Sequence, residues 1–144
     1  MSSSFQLVFD CADPDRMADF WREALGYQLQ PPPDGFDSWD DFLDSIGIPE
    51  EQRHDKAAIT DPDGIRPRIF FQKVPEPKSA KNRLHIDVSA GAGTHDPAQR
   101  RALVDETVLW LKTRGATDER GAMDLNGEYW VRMNDPEGNE FCVQ

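Results

Sequence analysis

Asp61-Pro62-Asp63-Gly64 and Asp135-Pro136-Glu137-Gly138 are one turn written twice, 74 residues apart. Aspartate and proline favour turn initiation, and glycine accepts the positive φ that closes such a turn. Each copy sits between two β-prone runs. Residues 56–60 and 68–73 flank the first, and residues 129–133 and 140–143 flank the second. Outward from these hairpins the same order recurs. Residues 5–9 read as a strand, and Asp13-Pro14 then opens a helix whose Met17, Phe20, Trp21, Ala24 and Leu25 share one face. Gly26 stops that helix, and residues 27–30 give another short strand. In the second copy, residues 83–88 are the strand and residues 98–114 the helix, with a weak strand at 116–120. The expected architecture is α+β: two tandem βαβββ modules, residues 5–73 and 83–143, joined by linker 74–82 in a single domain spanning 1–144.

The chain has 144 residues and carries 27 acids against 16 bases, a formal charge of −11. Such a net anion is repelled by nucleic acid and by anionic membranes, so neither is an expected partner. No run reaches the ~20 apolar residues of a membrane span, and the first residues lack the pattern of a leader peptide. The two cysteines, Cys11 and Cys142, are expected to be reduced thiols, and a cytoplasmic location follows by default. The acids concentrate between residues 34 and 63, where Trp39, Phe42, Leu43 and Ile46 mark a short amphipathic helix. Segment 31–55 is therefore expected to form a lid or a cleft wall. Gly91-Ala92-Gly93 lacks the further glycine and the lysine of a phosphate loop, so no nucleotide cofactor is expected.

The runs 13–26, 70–78, 81–87 and 134–143 resemble those of the vicinal oxygen chelate superfamily, the glyoxalase/bleomycin-resistance/dioxygenase group. The resemblance is greatest to actinobacterial glyoxalase-like domain proteins. It implies a small-molecule ligand and a homodimer. It further implies a divalent metal held by one residue from the opening and closing strand of each module. The positions resembling those ligands are Gln6, Gln72, His85 and Cys142. Glutamate is usual in the family at the places of Gln72 and Cys142. The two-histidine, one-carboxylate iron set of the ring-cleaving members is absent from these positions.

The residues themselves point to His85 and Asp87. Two apart on a strand, they share a face, while Leu84 and Ile86 take the other. Imidazole exchanges protons near neutral pH, and a neighbouring carboxylate can orient it or act as a base, which makes His85 and Asp87 the candidate catalytic pair. The alternative is that both satisfy backbone or water, with Cys142 a small buried filler. Gln6, Gln72, Phe70, Trp130 and Arg132 are the candidate substrate contacts. Phe70 shares parity with Gln72, and Trp130 with Arg132. The leading functional expectation is a lyase or isomerase acting by proton transfer on a small polar or aromatic metabolite. The alternatives are a non-catalytic protein that sequesters a small molecule, and a structural or regulatory dimer.

Overall fold

The computed structural model describes residues 1–144, the side chain of residue 119 excepted. It divides into two compact units, Met1–Pro77 and Lys78–Gln144.

In the first unit the order is β1 (Leu7–Cys11), α1 (Pro14–Leu25), β2 (Gln28–Leu29), α2 (Trp39–Ser45), a 3-10 turn at Glu50–Gln52, β3 (Lys56–Thr60) and β4 (Ile69–Lys73). The sheet runs β1-β4-β3-β2, with β1 and β4 parallel and the other pairs antiparallel. Helix α1 begins where the sequence predicts, because the Asp13 carboxylate accepts a hydrogen bond from Arg16 N at 3.1 Å and Pro14 forfeits no donor in the first turn. It ends at Gly26, whose φ of 68° a side chain would disfavour. Its Met17, Phe20 and Trp21 are buried, and Phe9 of the sheet stacks on Trp21 and Phe71 at 5.4 and 5.3 Å. The helix therefore covers the sheet face that presents Phe9, Ile59, Ile69 and Phe71. Side-chain alternation puts Gln6, Val8, Asp10, Arg68, Phe70 and Gln72 on the other face.

In the second unit the order is β5 (Asp87–Val88), α3 (Pro97–Thr113), β6 (Thr117–Leu125), β7 (Glu128–Asn134) and β8 (Glu140–Val143), giving a sheet β5-β8-β7-β6. Helix α3 packs on β7 and β8 through Val104, Val108 and Leu111, against Val131, Met133, Phe141 and Val143. Each unit thus has its own four-stranded sheet covered on one face by a helix. Two elements differ from expectation. The strand expected over residues 83–88 shortens to Asp87–Val88, because the incoming chain is held by a side chain in place of a ladder. The Glu140 carboxylate accepts from Asn82 N at 2.9 Å and pairs with Lys78 at 3.2 Å. Conversely, the weak strand at 116–120 becomes the nine-residue β6. It pairs with β7 through a tight turn at Asn126-Gly127, both at positive φ (55° and 82°). An Asn-Gly pair is a strong hairpin signal. Its register shifts between Asp118 and Ala122, where Gly121 has φ 68°.

The duplicated turns close both hairpins in the same way. Asp61 is buried and accepts from the backbone N–H of Asp63, Ile65 and Arg66 at 3.1, 3.2 and 2.8 Å. Asp135 is buried and accepts from Glu137 and Asn139 N, both at 2.9 Å. The backbone donor of Arg66, with those of Asp63 and Ile65, holds the Asp61 carboxyl below its ordinary value of 3.8 against the opposing effect of burial. A carboxylate with a depressed folded pKa stabilises fully above its unfolded value and loses that contribution as pH falls through the folded one. Asp61→Asn is therefore expected to lower Tm at neutral pH and to leave a shallower loss of Tm below that value than the wild type shows. Asp135→Ala should cost about 1–3 kcal/mol in chemical denaturation, since the turn's N–H groups lose a buried acceptor. Trp21→Ala should cost about 3–5 kcal/mol through loss of a fully buried ring.

Candidate functional site

The second unit brings His85, Asp87 and Cys142 together. Asp87 lies opposite Cys142 in the parallel β5–β8 pairing, and Arg132 lies opposite Cys142 on the other side. These residues occupy the face away from α3, because Val88, Val131 and Val143 fill the helix side. His85 Nε2 is 3.4 Å from Asp87 Oδ1, an ion-pair distance, and both side chains are nearly half exposed (45% and 43%). One ligand atom from each of His85, Asp87 and Cys142 lies within 4.8 Å of the others. Burial, followed by the charge of Asp87, raises the Cys142 thiol above its ordinary value, and Arg132 and Lys81 only partly offset this. Trp130 and Arg132 follow one another on this face, both half-buried. Tyr129 takes the opposite face, where its hydroxyl donates to Asp105 of α3 and Arg101 stacks over its ring at 4.3 Å. Glu140 also belongs to the open face. Burial opposes its ionisation, but the N–H groups of Asn82 and Glu140 and the Lys78 ammonium outweigh that and bring it to about 2.

The first unit holds a well-formed concavity. A chamber of about 560 Å³ opens between the free face of the sheet and segment 31–55. Leu29, Trp39, Leu43, Ile46, Ile48 and Phe70 give it an apolar wall. Trp39 Nε1 donates to Gln30 O at 2.7 Å, and Phe36, Phe42 and Trp39 pack edge to face, which fixes the short helix against the sheet margin. The expected cleft wall is thus present, built by α2 and the turn after it. The polar part of the lining includes Gln30, Arg53, His54 and Arg68. Arg68 donates to Gln30 Oε1 at 2.6 Å and to Gln6 Oε1 at 2.8 Å, and its guanidinium lies 5.1 Å over the Phe70 ring. His54 Nδ1 sits 2.6 Å from the Asp15 carboxylate.

Gln6 and Gln72 share a face of the first sheet but do not meet. Gln6 is bonded to Arg68, whereas Gln72 stands opposite Asp10 and donates to its carboxylate at 2.7 Å. Four residues along a strand separate the two sites by roughly 13 Å, too far for co-ligands of one ion. The residue missed from the sequence is Arg68. The 74-residue offset between the two turns carries Cys142 onto Arg68, while Gln72 shifted by the same offset falls past the end of the chain. The structure repeats this equivalence, since Gln6 abuts Arg68 in one sheet as Asp87 faces Cys142 in the other. For a metal, then, the fitting donors are His85, Asp87 and Cys142. Nitrogen, carboxylate and thiolate suit a tetrahedral ion such as zinc with one position left for a substrate oxygen, which the ion would polarise. Its binding must first displace the thiol proton. Among the described residues, no helix is long and apolar enough to cross a membrane.

A family model described as a glyoxalase-like domain matches residues 6–144. Solved structures share the fold across their length. One is a glyoxalase/bleomycin resistance protein/dioxygenase family enzyme from Burkholderia phytofirmans PsJN, 18% identical, covering 96% of this chain and 94% of that one with a TM-score of 0.61. Another is the hypothetical protein SA1046 from S. aureus, 16% identical, with 99% and 96% coverage and a TM-score of 0.59. A third is the fosfomycin resistance protein FosX from Mesorhizobium loti, 11% identical, with 99% and 91% coverage and a TM-score of 0.61. A search of curated proteins gave no significant match.

The Cys142 environment generates a direct test. Asp87→Asn removes a negative charge and an acceptor beside the thiol, so the midpoint of the alkylation rate against pH should move down. Iodoacetamide labelling followed at the Cys142 peptide by mass spectrometry measures it, and an unmoved midpoint would separate the two side chains.

Proposed function

The chain belongs to the glyoxalase-like domain family, and from that premise we propose that it is a small-molecule enzyme of the lyase or isomerase type, working by proton transfer at His85. The observation that carries this reading is the His85–Asp87 contact on the half-exposed face of the second sheet. Asp87 beside Nε2 favours the tautomer protonated there, so Nδ1 holds the lone pair that takes a substrate proton. The Asp87 carboxylate stabilises the imidazolium that forms, and the same imidazolium returns the proton at a neighbouring atom. Trp130 offers a flat surface and Arg132 a fixed cation to the charge that develops on a substrate oxygen. If an ion joins His85, Asp87 and Cys142, Asp87 turns from orienting base to ligand.

A second reading rests on a different observation, the chamber of the first unit. Its apolar and aromatic wall suits retention of a small organic molecule without turnover, as in a sequestering protein.

Incubation of the native protein with a metabolite extract, followed by mass spectrometry, distinguishes the two. The enzyme reading expects a compound to be consumed, and consumption should fall at least a hundredfold in His85→Gln. Wild-type consumption by that variant would overturn the assignment. A compound recovered unchanged at stoichiometric occupancy would establish the binding reading instead.

A further inference from the structure

The first-unit chamber carries an electrostatic asymmetry that points to the class of molecule it holds. Each of its acids has a basic side chain beside it. Asp40 pairs with Arg53 at 3.4 Å, Asp15 with His54 at 2.6 Å, and Asp55 with Lys73 at 3.7 Å. Arg68 is not matched in this way. Its side-chain partners are two neutral amide oxygens, Gln30 Oε1 and Gln6 Oε1, and an aromatic face, Phe70. Among the described residues no carboxylate lies within ion-pair distance of it. Burial lowers the Arg68 pKa. The group nonetheless stays protonated, as arginine does in proteins. A half-buried guanidinium is thus held in a chain of net charge −11 without a counter-ion. Close by, Arg53 lines the same chamber and keeps a buried Nε–H with no acceptor among the described residues.

A fixed cation whose own acceptors are neutral retains most of its attraction for an incoming anion, and its planar fork matches a carboxylate, sulfonate or phosphate group. The remainder of the wall is apolar, from Leu29, Trp39, Leu43, Ile46, Ile48 and Phe70. We propose that the first-unit chamber is a binding site for an amphiphilic organic anion, with the acidic group on Arg68 and the apolar or aromatic body between Trp39 and Phe70. This rests on the reading of the chamber as a ligand site and adds the charge and shape of the ligand. The Gln6 and Gln30 amides act as positioning groups, since they hold the guanidinium over Phe70. Because Arg68 stands where the other unit has Cys142, the two units offer opposite chemistry at equivalent places, a permanent cation in one and a weakly acidic thiol in the other.

The test uses two fluorescent probes that differ by one group. 1-Anilinonaphthalene-8-sulfonate carries a sulfonate, and N-phenyl-1-naphthylamine is its neutral counterpart. Both are titrated into the full chain at neutral pH and moderate salt, with thermal unfolding recorded for each variant. The wild type should bind the sulfonate at one site at least tenfold more tightly than the neutral probe. Arg68→Gln should collapse that ratio to about one, and Arg68→Lys should restore part of it. Ala58→Phe, which fills the floor of the chamber, should weaken both probes together. A preference for the sulfonate that survives in a folded Arg68→Gln would overturn the anion assignment while leaving the chamber as a ligand site. Equal binding of both probes by the wild type would do the same. Sulfonate binding unaffected by Ala58→Phe would place the site elsewhere, and failure of the sulfonate to bind the wild type would overturn the chamber reading along with the anion.

Discussion

A buried aspartate that takes up the backbone N–H groups of its own turn sets the register of each unit. Asp61 and Asp135 gather donors that would otherwise be left unpaired where the hairpin reverses. By fixing where β4 and β8 begin, they decide which residues face the helix. Ile69 and Phe71 go inward while Arg68, Phe70 and Gln72 go outward, and Phe141 and Val143 go inward while Glu140 and Cys142 go outward. A slip of one residue would exchange these sets, burying Arg68 and Cys142 against the helices and exposing the core. The open faces that carry the candidate sites are therefore by-products of hydrogen bonds made at the turns.

The fold was legible because its signals are local. An Asp-Pro pair at the start of α1, glycine at its end, apolar spacing along one helical face and a turn written twice all act within a few residues. The grouping of the candidate site residues was legible in part for the same reason. His85 and Asp87 are two residues apart, so parity alone puts them together. Cys142 was reachable through the family resemblance, and Trp130 and Arg132 through alternation. Gln72 misled because shared parity says nothing of position along the strand, and only the parallel register places it beside Asp10. Arg68 lay in view of the duplicated turn but reads as an ordinary strand-edge cation until its neutral partners are seen. The chamber needed tertiary structure, since its walls come from several short segments spread between Asp15 and Phe70.

The acidic segment between β2 and β3 illustrates how charge and location combine. Its carboxylates make the chain strongly anionic overall, yet Asp40 and Asp55 on the chamber wall are tied to Arg53 and Lys73. Arg68 is the chamber-lining guanidinium that has no such partner among the described residues. Net charge predicts long-range repulsion of polyanions, whereas a small ligand within the chamber senses mainly its nearest neighbours.

Strand β6 closes one margin of its sheet, and its break at Gly121 has a bearing on solubility. A long outer strand with a continuous row of free amide and carbonyl groups invites a second molecule to dock by main-chain bonding. The kink between Asp118 and Ala122 interrupts that row, and Asp118 and Asp124 put carboxylates along it. An incoming strand would find no straight template longer than a few residues along this edge.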